Sequence, residues 1–466
     1  MEVEVSGLGF EEGVVDPELA LAAGASSPPV AIATTTVQPL DVEHISSPAA
    51  VAESHSPGSK WRKALTSVRV VIFQAKISVL LPFGPVAIML HHLTGKHEGW
   101  VSLLSLIGLT PLSERLGYAN EQLACYVGPT VKGLLDVTFG NATEIIVSIY
   151  ALKNGMIRVV QESLIGSILS NMLLVLGCAF FAGGIVHSDR DQVFNKVSAG
   201  INSVLLLMAL LGIMFPAMLH FTRSEVSYGR SEVALSRFSS CIMIVAYASY
   251  LYFQLKTHRS VYSPIEQQEE EAVEEDEKEI TEAEAICWLF VLSIWISVLA
   301  GYLVDAMQGP SDSPGLPEAF VSFILLPIAE HARTIMFAMK NKLDITLGIA
   351  IGSSTRISIF VIPLCVIISW IMGQQMDLNF GMFETATLFV TVILVAFTLQ
   401  QGSSNYFKGL VLILCYLIAA ARTFAYVDPD ARELRIIVLI ERKARPLTLR
   451  HLTPGRAMRD GFYNGW

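Results

Sequence analysis

Apolar residues in this 466-residue chain fall into long runs rather than short alternations. A helix crossing the roughly 30 Å hydrocarbon core of a bilayer needs about 20 mostly apolar residues. Eleven stretches approach that requirement: 70–92, 98–112, 121–150, 160–186, 198–220, 233–255, 285–306, 317–339, 344–372, 382–400 and 405–425. Several are short or interrupted by glycine, yet so many runs exclude both a soluble core and a single membrane anchor. The pattern predicts an all-α polytopic membrane protein with about eleven transmembrane helices. Residues 1–63 hold no sustained apolar stretch and are rich in Pro, Ser, Ala and acids, the composition of a disordered cytosolic tail. The start is acidic and lacks the apolar core of a cleavable signal.

Charge sharpens this picture. Charged residues make up only 16% of the chain, against about 25% in soluble domains, which sets an ordinary cytosolic enzyme aside. The net charge of −10 is concentrated: eleven of the 42 acids lie between Glu266 and Glu284 with only Lys278 among them. The rest of the chain balances, 31 acids against 31 bases. A block of like charges repels itself and stays exposed. Residues 257–284 therefore read as an acidic cytosolic loop between a first transmembrane half, 64–256, and a second, 285–425, followed by a divergent C-terminal tail, 426–466. Flanking bases set orientation; Lys60, Arg62, Lys63 and Arg115 favour a cytosolic N-terminus, while Lys153, Arg158, Arg223, Arg230 and Arg237 weigh the other way. The six cysteines show no CxxC spacing and lie in or beside apolar runs, where they pack as small hydrophobes.

Two stretches on either side of the acidic loop resemble each other. The first, GNATEIIVSIYALKNGMIRVVQESLIGSILSN, runs from Gly140 to Asn171. The second, AEHARTIMFAMKNKLDITLGIAIGSSTRIS, runs from Ala329 to Ser358. Glu144 and Glu330 each precede a Gly-Ser pair, Gly166-Ser167 and Gly352-Ser353, by 22 positions. Glu144 belongs to the third apolar run and Glu330 to the eighth. An odd offset of five spans inverts the second copy, giving one leading helix plus two inverted five-helix repeats. Inverted repeats characterise secondary transporters, whose substrate site lies at the repeat interface near the midplane.

An ionised carboxylate inside an apolar helix costs at least about 2.5 kcal/mol on insertion scales. Two of them, in matching repeat copies, point to function. A pair of carboxylates offers hard oxygen ligands suited to Ca²⁺ or Mn²⁺. They repel each other unless a cation or protons neutralise them. Either loaded state can cross the apolar midplane and the empty state cannot, which yields cation/proton antiport without a covalent step. Asn141, Thr143, Ser167, Ser170, Asn171, Ser353, Ser354 and Thr355 can add oxygens, although such small residues also serve close helix packing. His331 adjoins Glu330 and suits either proton relay or packing.

GNATEIIVSIYALKNGMIRVVQ with GSILSNMLLVLGCAFFAGGI, and KNKLDITLGIAIGSSTRISIFVIP in the second half, resemble the repeat motifs of the calcium/proton exchanger family, the plant vacuolar cation antiporters. QQMDLNFGMFETATLFV and NYFKGLVLILCYLIAAA resemble its later spans, so the similarity runs from about residue 64 to 425. The resemblance implies eleven spans, an acidic cytosolic loop and a vacuolar membrane location. It implies Ca²⁺ exchanged for H⁺ as transported substrates, with no cofactor, and Glu144 and Glu330 as the paired metal carboxylates. Asn141, Ser170 and Ser353 join them as cation ligands, and His331 shares proton coupling with the glutamates. The expected surroundings are the lipid bilayer and no nucleic acid; a homo-oligomer and cytosolic regulators at the N-terminal tail stay open.

Two departures stand out. The family's second motif usually reads Leu-Pro-Ile-Val-Gly-Asn-Ala-Ala-Glu-His, whereas here Leu326-Pro327-Ile328 runs directly into Ala329-Glu330-His331. Four lost residues exceed one helical turn, shifting what lies upstream by about 6 Å and rotating it by about 40° relative to Glu330. Arg356 stands where the family usually carries Gln, in register with Ser170. Its guanidinium stays charged and would pair with Glu330 or repel a divalent cation; Asp136, where Asn is common, would partly offset it. The tail after about residue 427 resembles nothing in the family. These departures keep a second reading open, a transport-impaired relative or passive cation channel with a regulatory role. No nucleophile–base pairing, P-loop or dinucleotide fingerprint supports an enzyme.

Overall fold

The computed structural model describes residues 65–73, 75–94, 98–222, 230–258, 279–307 and 331–425. Both expected tails, most of the acidic loop and Glu330 lie outside the described residues. Helices dominate. An N-terminal segment bends by 90° between Leu65–Phe73 and Ile77–Leu93 and leads into α1 (Phe83–Thr94). Then follow α2 (Glu98–Ala124), α3 (Pro129–Thr138), α4 (Ala142–Lys153) and α5 (Ile157–Val186). The first half closes with α6 (Lys196–Thr222) and α7 (Arg230–Thr257). Beyond the loop come α8 (Glu282–Met307), α9 (Ala332–Met339), α10 (Leu343–Ile371), α11 (Met382–Gln400) and α12 (Tyr406–Ala425).

Among the described residues six helices, α5, α6, α7, α8, α10 and α11, are long and apolar enough to cross a membrane. Two of them form the centre: the apolar stretches of α5 and α10 are 72% buried, against 17–39% for the other four. The outer helices present large apolar side chains outward, among them Phe215, Val245, Ile294 and Phe397. That arrangement suits a lipid solvent, in which nothing drives those residues inward.

The expected run 121–150 takes in the last turn of α2 and two further helices, α3 and α4, rather than one helix. Pro129 starts α3 at its first turn, where a proline's missing N–H costs nothing. The chain then stops and restarts at Gly140-Asn141. A Cβ at Gly140 would lie 2.3 Å from the Asp136 carbonyl oxygen, so only glycine permits this close turn.

The central helices also share an irregularity: α5 contains a π-helical turn at Ser170–Val175 and α10 one at Ile357–Val361. Such turns widen the helix locally and leave carbonyls free for other partners. The helix ends match as well, since α4 leads into Gly155 at φ 73° and α9 into Asn341 at φ 61°.

Two opposite ends are defined by contacts. At one, β1 (Gln192–Val193) pairs antiparallel with β2 (Ser403–Ser404). There Gln192 Nε2 donates to the Ala338 carbonyl and to Asn341 Oδ1, each at 2.9 Å, and Asn195 N donates to Asp344 Oδ1 at 2.7 Å. At the other end, Gln161 near the start of α5 donates to Asp377 in the α10–α11 connection at 3.1 Å. The described end of the acidic segment is anchored on α2 and the turn after it: Tyr118 donates to Glu279 at 2.6 Å and Tyr126 to the Ile280 carbonyl at 2.8 Å.

Because Gly140 sits against its own preceding turn, Gly140→Ala is expected to cost about 1–3 kcal/mol through overpacking. Thermal unfolding of the purified protein would show a lowered midpoint; an unchanged midpoint would mean the turn adapts without strain.

Candidate functional site

The break between α3 and α4 positions the first candidate residues. Asn141 caps α4 with φ −133° and ψ 22° and is wholly buried, yet neither its amide oxygen nor its amide nitrogen has a hydrogen-bond partner among the described residues. Thr143, two residues on, donates to Ser113 Oγ at 3.2 Å. Glu144 lies in the first turn of α4 and is partly buried, where the positive end of the helix dipole favours its carboxylate.

The crossing of α5 and α10 supplies the second group. Asn171 Nδ2 donates to Ser353 Oγ at 3.5 Å, so the two central helices meet through their repeat motifs. The Asn171 amide oxygen is left without a hydrogen-bond partner among the described residues. Ser170 is buried and its hydroxyl returns to the Ser167 carbonyl at 3.1 Å. Ser354 and Thr355 likewise donate to carbonyls one turn back, at 2.9 and 2.8 Å. Their hydroxyl lone pairs therefore remain available as acceptors. A buried polar atom left unpaired costs about 1–3 kcal/mol. The amide oxygens of Asn141 and Asn171 are thus the groups most in need of a positive ligand, and neutral oxygens of this kind suit a hard cation.

Arg356 ends the regular part of α10 and is partly buried. Its guanidinium folds back one turn: Nη1 comes within 3.6 Å of where a Gly352 side chain would begin. Its Nε is buried without a hydrogen-bond partner among the described residues. Tyr247 on α7 lies within electrostatic reach of both Arg356 and Asp136, and Asp136 accepts from Asn120 Nδ2 at 2.8 Å.

The second half-site differs from the first. His331 caps α9 with φ −103° and ψ 21°, close to the angles of Asn141. The register that pairs Gly155 with Asn341 pairs Asn141 with Pro327, so this cap falls four residues late. Accordingly α9 has 8 residues where α4 has 12. Glu144 is the third residue of α4, whereas Glu330 precedes the cap of α9 and lies outside the described residues. The four-residue gap read from the sequence thus coincides with a helix shortened by four.

Comparison with known proteins places this architecture. The sodium/calcium exchanger protein family matches residues 97–256 and 284–425. The chain belongs to that family. Exchangers are transporters, so the chain is not an enzyme. It is 72% identical to vacuolar cation/proton exchanger 2 of Oryza sativa subsp. japonica, over 90% of this chain and 98% of that one. It is 63% identical to vacuolar cation/proton exchanger 2 of Arabidopsis thaliana, over 80% and 87% respectively. Among solved structures, native YfkE aligns with TM-score 0.62 and 31% identity, covering 75% of this chain and 100% of its own. The H+/Ca2+ exchanger CAX shares the fold, with TM-score 0.55 at 13% identity, covering 84% and 95%.

The sequence singled out Asn171 and Ser353 separately, but nothing in it announced their contact, because the π turn that rotates Asn171 leaves no periodic signal. If Asn141 is kept for a ligand rather than for folding, removing its amide relieves a penalty. Asn141→Leu is expected to leave the unfolding midpoint unchanged or raise it in divalent-free buffer. A marked drop would show that the amide is structurally paired.

Proposed function

We propose that this family member is a secondary active antiporter of the vacuolar membrane, exchanging Ca²⁺, and other divalent cations such as Mn²⁺, for H⁺. The observation that carries the reading is the buried amide of Asn141, without a hydrogen-bond partner among the described residues, one turn from Glu144. The relatives' names, vacuolar cation/proton exchangers, support the cation, the proton and the membrane. YfkE in selenium-substituted form, itself a Ca²⁺/H⁺ antiporter, aligns at 30% identity and TM-score 0.61, which supports calcium as the cation.

In this mechanism the chain forms one leading helix and two inverted halves of five spans each, with a cytosolic N-terminus. The described ends of the acidic segment then lie on the cytosolic side. Glu144 and Glu330 carry the exchanged charge: Ca²⁺ binds the ionised pair, and protons replace it. Asn141, Ser170 and Ser353 contribute neutral oxygens, and His331 receives or delivers protons beside Glu330. The empty, doubly charged site is held back by the desolvation cost of crossing an apolar barrier, so only loaded forms interconvert and the two fluxes are coupled. Alternation then proceeds as one half rocks against the other about the midplane.

A second reading has its own support in this chain. The late start of α9 and the guanidinium of Arg356 beside Gly352 weaken the second half-site. On that reading the chain is a transport-impaired relative or a passive cation channel with a regulatory role.

Sealed vesicles carrying the full chain separate the two. The antiporter reading expects Ca²⁺ uptake only under an imposed pH gradient, lowered at least about 100-fold by Glu144→Gln or Glu330→Gln, as for an interaction of several kcal/mol. Gradient-driven uptake that survives both changes would sink the two-carboxylate mechanism. In a second set, Arg356→Gln is combined with insertion of Val-Gly-Asn-Ala before Ala329. Uptake that appears only in this restored chain would assign the natural one to the transport-impaired class.

A further inference from the structure

At the end of the molecule opposite the ribbon, four elements bring polar side chains together outside the midplane site. The last turn of α6 carries His220, the first turns of α7 carry Glu232 and Ser236, α5 carries Arg158 and Gln161, and the α10–α11 connection carries Asp377. Glu232 is 4% exposed. One of its oxygens lies 2.8 Å from His220 Nδ1, while the other is buried with no hydrogen-bond partner among the described residues. Asp377 is held from several sides: Gln161 Nε2 donates to both its carboxylate and its carbonyl at 3.1 Å, and Asn379 N donates to the carboxylate at 3.1 Å. The next residue is fixed too, since Leu378 N donates to Ser236 Oγ at 2.9 Å.

The two carboxylates lie within electrostatic reach of each other, and one has an oxygen unmet among the described residues. His220 answers only part of the demand, because it is already committed to the other oxygen of Glu232. Among the described residues, Arg158 lies near Glu162 and Gln161 and, at Gly381, near Glu384, and Arg237 stacks over the Trp370 ring at 4.8 Å. Glu384, at the start of α11, is a further buried acid near this end. Among the described residues no three His, Cys, Asp or Glu side chains are arranged to hold a metal ion. A proton, which turns an oxygen from acceptor into donor, is the ligand that resolves this arrangement.

We propose that Asp377, packed beside the buried Glu232 and the half-exposed His220, is a second proton-binding site, separate from the midplane carboxylates, in which the Asp377 carboxyl takes a proton that reaches it from solvent past His220. The half-exposed imidazole, 47% accessible, provides the path. Burial, and next the repulsion of Glu232, push the Asp377 carboxyl up to about 6. The packed arrangement therefore holds best below that value and loosens as the pH rises through it. The site reports to the centre through rigid connections. Gln161 belongs to the helix that carries Ser170 and Asn171, and Asp377 follows the helix that carries Ser353 and Arg356. Protonation here relieves the repulsion between Asp377 and Glu232, and so settles the α10–α11 connection against the start of α7.

Infrared difference spectroscopy of the purified full chain tests the proposal without relying on transport. A protonated carboxyl band should titrate with a midpoint near pH 6 and vanish in Asp377→Asn. Glu232→Gln, which keeps shape but removes the repelling charge, should lower the midpoint by about one pH unit. The absence of any carboxyl titrating between about pH 5 and 7, or a band unchanged in both variants, would overturn it. In vesicles, varying the pH on this side alone should give a transport inflection near pH 6 in the natural chain and none in Asp377→Asn; an identical inflection in both would refute the link to the centre. If the natural chain transports nothing, the infrared result still stands on its own.

Discussion

The amide of Asn141 gives up water on burial and gains no hydrogen bond from the described residues around it. In a bilayer interior such a deficit is severe, because no bulk water reaches in to repair it. The chain nonetheless builds toward it. Gly140 allows the close turn that ends α3, and Asn141 caps the helix that displays Glu144. Elsewhere the two most buried helices cross, with Asn171 meeting Ser353. Small polar side chains at the crossing let the backbones approach. The outer helices, which offer apolar faces outward, serve to hold this polar centre in place.

The same constraint explains where irregular backbone is tolerated. Both central helices carry a π turn at or just after the crossing, at Ser170–Val175 and Ile357–Val361. Bulges of this kind persist where they aim a side chain or free a carbonyl, as functional sites require. The asymmetry between the halves has an equally local cause. With α9 capped at His331, four residues late, the second half offers a shorter helix and places Arg356 beside Gly352. Were this a cation site, a fixed positive charge would lower its affinity; Asp136 lies within electrostatic reach of Tyr247, which Arg356 also reaches.

Much of this was legible in the sequence. Runs of about 20 apolar residues announced the helices; the equal 22-residue spacing from Glu144 to Gly166 and from Glu330 to Gly352 falls in two stretches whose following helix ends and π turns match. The gap before Glu330, visible in the sequence as a missing turn, falls outside the described residues; α9 beyond it has 8 residues against 12 in α4. Hydropathy could not divide 121–150 into α3 and α4, because Gly140-Asn141 is too short a polar interruption to break an apolar average. Nor could it find the partners of Gln161 or Glu232, since those contacts join positions as far apart as 161 and 377. Helical periodicity reports which face is apolar and says nothing of which distant loop will cover it.

Coupling is the claim on which the rest turns, and it is read most directly by following both ions at once. Proteoliposomes holding the natural chain, loaded with a pH dye and a Ca²⁺ dye and given an acidic interior, should show proton efflux that begins with external Ca²⁺ and stops when it is chelated. The two signals should keep a fixed ratio over the whole uptake. Calcium entry with no accompanying change in internal pH, or proton efflux indifferent to calcium, would contradict an exchanger whose buried carboxylates carry either ion in turn.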